Sequence, residues 1–156
     1  MVKGDGAELI HTGSIFVKSA RIIINMPAGK IFELIADPRK HIDFDGSGHL
    51  LGAVTGPVRL SLGAKFGMAM EWKAKYRILN TVVEFEEDKK IAWRHFMRHR
   101  WRYELRALDP NITEVTETFD GRKALFPPIL FLIDAYRINQ RAVLQSLAQL
   151  KLLAEA

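Results

Sequence analysis

The chain of 156 residues contains no cysteine. Thiol nucleophiles, thiolate metal sites and disulfide frameworks are excluded together, and a chain without them suits a reducing compartment. No stretch reaches the ~18 consecutive apolar residues read as a membrane-spanning helix. The longest apolar run, Ala124 to Ile133, is too short and carries Pro127 and Pro128. Met1 to Gly13 mixes Lys3, Asp5, Glu8 and His11 with glycines and lacks the apolar centre of a secretory signal. Residues 1–13 therefore read as a flexible tail before a single domain, residues 14–156, and the expected location is cytoplasmic. Internal repeats and low-complexity tracts are also missing. The charge balance is modest: 23 Lys and Arg against 18 Asp and Glu leave +5, dispersed rather than gathered in one block.

What is present has the composition of a globular domain, and a domain of this length can bury about two thirds of its unfolded surface without a metal or a disulfide. Ser14 to Asn25 is rich in Ile and Val and predicts a strand. Asn25 is placed to cap a helix with Pro27 in its first turn, and Ile31, Phe32, Leu34 and Ile35 carry the helical spacing. Asp37-Pro38 ends that helix, and a second short helix covers Pro38 to Phe44. After the turn Asp45-Gly46-Ser47-Gly48, short strands are expected at Leu50 to Val54 and Val58 to Leu62.

Phe66, Met68, Met70, Trp72, Ala74 and Tyr76 then alternate with smaller or charged residues. A period of two puts every large apolar group on one face of a strand. Further strands are predicted at Asn80 to Glu86, Lys90 to Phe96, Arg100 to Leu108 and Thr113 to Asp120. In the third of these, Trp101, Tyr103 and Leu105 oppose Arg100, Arg102, Glu104 and Arg106. From Pro127 to about Ala154 the pattern becomes helical: Ile129, Ile133, Tyr136, Gln140, Val143, Leu147 and Leu150 trace one face. The fold class is α+β: consecutive strands form an antiparallel sheet, and the long C-terminal helix covers it.

This order of elements resembles the START-like (SRPBCC), helix-grip superfamily, in its polyketide cyclase/dehydrase branch, and in particular uncharacterised members of actinobacterial type. The likeness is carried by Ile22-Ile23-Ile24-Asn25-Met26-Pro27-Ala28, Ala36-Asp37-Pro38, Asp43-Phe44-Asp45-Gly46-Ser47-Gly48, Leu60 to Met68, Asn80 to Phe85, Ile91-Ala92-Trp93, Trp101 to Leu105 and Val115 to Asp120. The resemblance implies a curved antiparallel sheet wrapped around a long helix, two short helices after the first strand, and a cavity in between. Its members include lipid carriers, ligand sensors, aromatic polyketide cyclases and some protein- or ribosome-binding proteins, so function does not follow from fold.

The inward faces supply the cavity candidates Phe66, Met68, Met70, Trp72, Tyr76, Trp93, His95, Trp101, Tyr103, Tyr136 and Gln140. Aromatic and Met side chains with a few polar groups suit an apolar small molecule; the same residues can equally fill a core. His41 with Asp43 and Asp45 can form a general base beside carboxylates, or a solvated helix end. His95 can hydrogen-bond a ligand oxygen, or be a satisfied core histidine. The catalytic candidates are thus His41, Asp43 and His95. No metal is expected, since the His95/His99 spacing brackets a hairpin and lacks a third ligand. Gly46-Ser47-Gly48 lies outside the strand-to-helix context of a dinucleotide loop, no serine occupies a nucleophile elbow, and no cofactor is expected.

Three functions compete: binding or transport of a lipid, polyketide or aromatic metabolite; a cyclase or dehydratase acting in the same cavity; and a protein- or ribosome-interaction module using Arg94, Arg98, Arg100 and Arg102. Strict alternation makes those arginines a solvent face, so nucleic acid is not the expected partner. The apolar stretch Leu125 to Leu132 reads as a portal, as a homodimer or membrane contact through Leu125, Phe126 and Phe131, or as buried anchorage.

Overall fold

The computed structural model describes residues 6–156, and of Ala53 the backbone alone. Eight strands form one antiparallel sheet: β1 (Glu8–Ile10), β2 (Val17–Ile24), β3 (Leu50–Thr55), β4 (Lys65–Trp72), β5 (Ala74–Glu86), β6 (Lys90–Arg94), β7 (Arg100–Asp109) and β8 (Ile112–Asp120), in the order β1-β2-β8-β7-β6-β5-β4-β3. Between β2 and β3 lie α1 (Ala28–Ala36), a 3-10 turn (Pro38–Lys40) and α2 (His41–Phe44); after β8 come α3 (Pro127–Leu132) and α4 (Ala135–Glu155). Helix α4 packs on β2, β8 and α2, so the sheet curves around it. Bulges at Val82/Glu84 and Ala107/Asp109 contribute to that curvature.

The patterns read from the sequence find their physical causes here. On β8, Thr113, Val115, Glu117 and Phe119 are all buried on the concave face. On α4, Tyr136, Val143, Leu147 and Leu150 are buried as expected, joined by the small residues Ala142, Ser146 and Ala154, which let the helix come close to its neighbours. The expected loose tail is ordered in part: Glu8–Ile10 pairs with Ser19–Arg21, and Arg21 Nε donates to Glu8 Oε1 at 2.6 Å. The tail's residues 1–5 lie outside the described residues.

Five further expectations are corrected. Asn25 does not cap α1, which starts after Pro27; a tight turn (Met26 N–H to the Ile24 carbonyl) sets Asn25 aside, and its own N–H donates to Glu155 Oε1. Val58 to Leu62 is no strand. The Leu60 N–H donates to the Ala36 carbonyl at 2.7 Å, and just before the segment Arg39 holds the Gly56 and Pro57 carbonyls, so the chain here is tied to α1 and the 3-10 turn. The alternating run 66–76 is two strands, because Lys73 turns the chain with φ 61°. The turn keeps the parity: Met70 pairs with Tyr76 and Met68 with Ile78, so the apolar face continues across the hairpin. Strand β6 ends at Arg94 and not Phe96, for the loop 95–99 closes through an Arg98 N–H to His95 carbonyl bond with Arg98 at φ 65°. Finally, the C-terminal helix is broken. Asp134, at φ 57°, separates α3 from α4, and Ile129 and Ile133 fall off the buried face, at 42% and 40% exposure.

Candidate functional site: an aromatic cavity with buried polar groups

Between the concave face and α4 lies a cavity of about 420 Å³. Its walls come from successive strands. Met68, Met70 and Trp72 line it from β4, Tyr76 from β5, Trp93 from β6 with His95 just beyond, and Trp101 and Tyr103 from β7. All three tryptophans of the chain therefore face one space. Cross-strand pairing explains the assembly: Trp93 sits opposite Trp101, and Trp101 opposite Phe119, so one row of rings runs across three strands. The exposed Phe96, Tyr76 and Ile133 mark the mouth.

Three of the expected lining residues lie elsewhere. Phe66 is fully buried behind the wall, edge-on to His41 and Trp93. Tyr136 fills a cluster with Phe16, Phe119 and Phe131. Gln140 borders a separate cleft against Leu9 to Ser19, since α4 turns a neighbouring face, Ala135, Ile138, Asn139, Ala142 and Ser146, to the cavity.

Of the catalytic candidates, His41 lines the cavity at 3% exposure. Its Nε2 meets the Ile35 carbonyl at 2.8 Å, its ring stacks on Trp93 at 4.8 Å, and Nδ1 has no partner. Burial depresses its pKa to about 4, so the ring is neutral near pH 7. The expected pairing with Asp43 does not form. Residues two apart on a helix point different ways, and Asp43 is exposed outside the cavity. Asp45 does line the cavity and accepts from Ser47 Oγ at 2.6 Å. His95 lines the cavity with its pKa lowered by burial. It meets His99 edge-on at 4.5 Å, and His99, lowered to about 3 chiefly by burial, leaves Nδ1 unpartnered. Among the described residues no three His, Asp or Glu side chains cluster as metal ligands would.

The sequence reading missed Glu117. It is 3% exposed, lines the cavity and sits directly across from Tyr103 in the β7–β8 ladder. Burial, with Asp45 adding to it, pushes its carboxyl well above the usual carboxylate range. Tyr103 is likewise raised by burial, with Glu117 and Asp45 contributing, and it also contacts Ser146. Oε2 of Glu117 has no hydrogen-bond partner. The loop after α2 reaches this cluster because the Gly46 N–H donates to Ser146 Oγ at 2.8 Å. A Cβ at Gly46 would overlap the backbone of α4 there, so this approach requires glycine. The one available signal was Glu117 at an inward position of its strand, between Val115 and Phe119.

The arginine-rich region is not a free cationic surface at its centre. Arg100 and Arg102 both bond Glu84, at 3.0 and 2.8 Å, and Arg102 also reaches Asp120 at 3.5 Å. The segment 125–132 is largely exposed, with Phe126 at 65% and Leu132 at 85%; only Leu130 is buried. No described helix is long and apolar enough to cross a membrane.

Comparison with solved structures places this architecture. The AHSA1-like protein of Aeromonas hydrophila superposes with a TM-score of 0.56 at 17% identity, covering 88% of this chain and 94% of that one. DynU16, from the dynemicin biosynthetic locus, gives 0.63 at 12% identity over 90% of this chain and 48% of its own. The chain has the helix-grip fold. No protein-family model matches it. In sequence it is similar to the uncharacterised protein Rv0088 of Mycobacterium tuberculosis, 39% identical over 107 residues, which is 68% of this chain and 48% of that protein. The chain thus spans about half the length of the curated relatives it matches.

Proposed function

We propose that this chain binds or carries an apolar small molecule, a lipid, polyketide or aromatic metabolite, in the cavity between sheet and α4, as a member of the polyketide cyclase/dehydrase branch of the START-like superfamily. One observation carries the reading: three tryptophans, two tyrosines and three methionines surround a space of about 420 Å³, within the usual range of small-molecule pockets. A protein interior is normally close-packed, so an unfilled apolar space of this size is a place for a ligand. The exposed apolar helix α3 at its rim serves as the portal.

The test is native mass spectrometry of the protein purified from its own organism, followed by organic extraction. A discrete apolar ligand is the expected result. An empty protein that also ignores a panel of lipids and polycyclic aromatics overturns the reading. A cyclase or dehydratase is the second reading, favoured by the convergence of Glu117, Tyr103 and Asp45 on the cavity; it requires turnover of the extracted ligand or a precursor of it.

A further inference from the structure

Buried polar groups left without a partner beside a ligand cavity report what a ligand could supply. A buried polar group left unsatisfied costs free energy, and native proteins leave few of them. Glu117 Oε2, His41 Nδ1 and His99 Nδ1 are three such atoms, on residues exposed by 3%, 3% and 9%. All three residues line the same cavity. They belong to β8, α2 and the β6–β7 loop, so no single local accident produces them.

The charge of the wall is equally informative. Among the described residues, no Lys or Arg lines the cavity, while Asp45 and Glu117 do. A carboxylate or phosphate ligand would enter an apolar space with no counter-ion and with an acidic side chain in the wall. Burying such an unpaired charge is costly. An ammonium ligand would have to ionise Glu117 against the burial that raises its carboxyl well above the usual carboxylate range, and Asp45 already accepts from Ser47. Besides Asp45, the groups on offer are the buried Glu117 carboxyl, a phenol and imidazoles, set among broad aromatic faces that favour stacking.

We infer that the cavity selects an uncharged, flat aromatic ligand bearing a carbonyl or hydroxyl oxygen, which Glu117 binds at the inner end beside Tyr103. This rests on the small-molecule reading above and narrows it, setting fatty acids, phospholipid headgroups and amines aside.

The test uses four probes of nearly one shape on the full chain, measured by equilibrium dialysis near pH 7: acetylnaphthalene (neutral ketone), naphthoate (anion), naphthylmethylammonium (cation) and ethylnaphthalene (hydrocarbon). The ketone is expected to bind at least about tenfold more tightly than either ion, the scale of one buried hydrogen bond gained and one buried charge avoided. Glu117→Met should weaken ketone binding about tenfold while leaving ethylnaphthalene within about twofold. Glu117→Gln, which keeps an N–H donor, should hold the ketone within about threefold. Naphthoate or the ammonium binding as tightly as the ketone overturns the inference. So does a Glu117→Met variant that weakens ketone and hydrocarbon alike. If Glu117→Met fails to fold, the selectivity of the unaltered chain and the behaviour of Glu117→Gln still decide. Failure of all four probes, the hydrocarbon included, overturns the cavity reading itself, and this inference with it.

Discussion

The two faces of the sheet treat the same kind of side chain in opposite ways. On the convex side, Glu84 is partly buried, which alone would raise its pKa. Hydrogen bonds and charge from Arg102 and Arg100 outweigh that and hold the carboxylate ionised. On the concave side, Glu117 is buried opposite Tyr103 and near Asp45, with no cation among its influences, and burial pushes its carboxyl well above the usual carboxylate range. The strands between them alternate: along β7, Arg100 and Arg102 turn outward to Glu84 while Trp101 and Tyr103 turn inward to the cavity. One face is an ionic network whose carboxylates are paired with arginines, with the buried Nε of Arg100 left without a partner. The other leaves polar atoms unsatisfied in an apolar space, and so is the one built to receive something.

The comparison can be broken in several places. The largest expected effect lies in the apolar packing that supports the concave face. Tyr136→Ala, removing a ring 4% exposed between Phe16, Phe119 and Phe131, should cost ~3–5 kcal/mol in urea unfolding. A loss of a few tenths would mean that the cluster contributes no stability.

Next comes acid sensitivity. His41 has a folded pKa of about 4 against an ordinary 6.5. The unfolded chain therefore takes up its proton first as pH falls. The stability from His41 is fully present above about pH 6.5 and is lost as pH drops toward 4, by roughly 3 kcal/mol. His41→Gln should flatten the pH–stability curve in that window; an unchanged slope would show His41 to be solvated.

The third prediction sets the two glutamates directly against each other. Glu84→Gln leaves Arg100 and Arg102 without their carboxylate and should lower stability by ~2 kcal/mol near pH 7. Glu117→Gln should do the reverse. A carboxyl whose folded pKa is raised loses stability as pH climbs above its ordinary value toward the folded one. The neutral amide escapes that loss, so the variant should match or exceed the parent at pH 8. Destabilisation of both, to similar degrees, would abolish the distinction between the faces. The last contrast is read in binding: Trp72→Ala should weaken ligand binding, whereas Arg102→Ala should leave it within about twofold, because only Trp72 faces the cavity. The reverse ranking would invert the assignment of faces.

Much of this architecture was legible in the residues. The inward set Met68, Met70, Trp72, Tyr76, Trp93, Trp101 and Tyr103 follows from a period of two, and that period survives even the unforeseen turn at Lys73, since a one-residue pivot preserves parity. Errors came where the backbone answers to distant partners: in Val58 to Leu62 the Leu60 N–H bonds Ala36 instead of a ladder, and Asp134 breaks a helix whose apolar spacing runs on unbroken.

Side-chain alternation, helix-forming stretches and turn chemistry are local properties, and the sequence alone determined them: an antiparallel sheet with one aromatic face, two short helices after its first long strand, and a helical C-terminus. Only the tertiary structure decided the chemistry of the cavity. Asp45, Tyr103, Glu117 and Ser146 lie on four separate elements and meet because Gly46 lets its loop touch α4 and because β7 and β8 pair in one register. The protonation of Glu117 and the neutrality of His41 come from desolvation by residues far away in the chain. Burial is a property of the packed whole, and no window of sequence contains it.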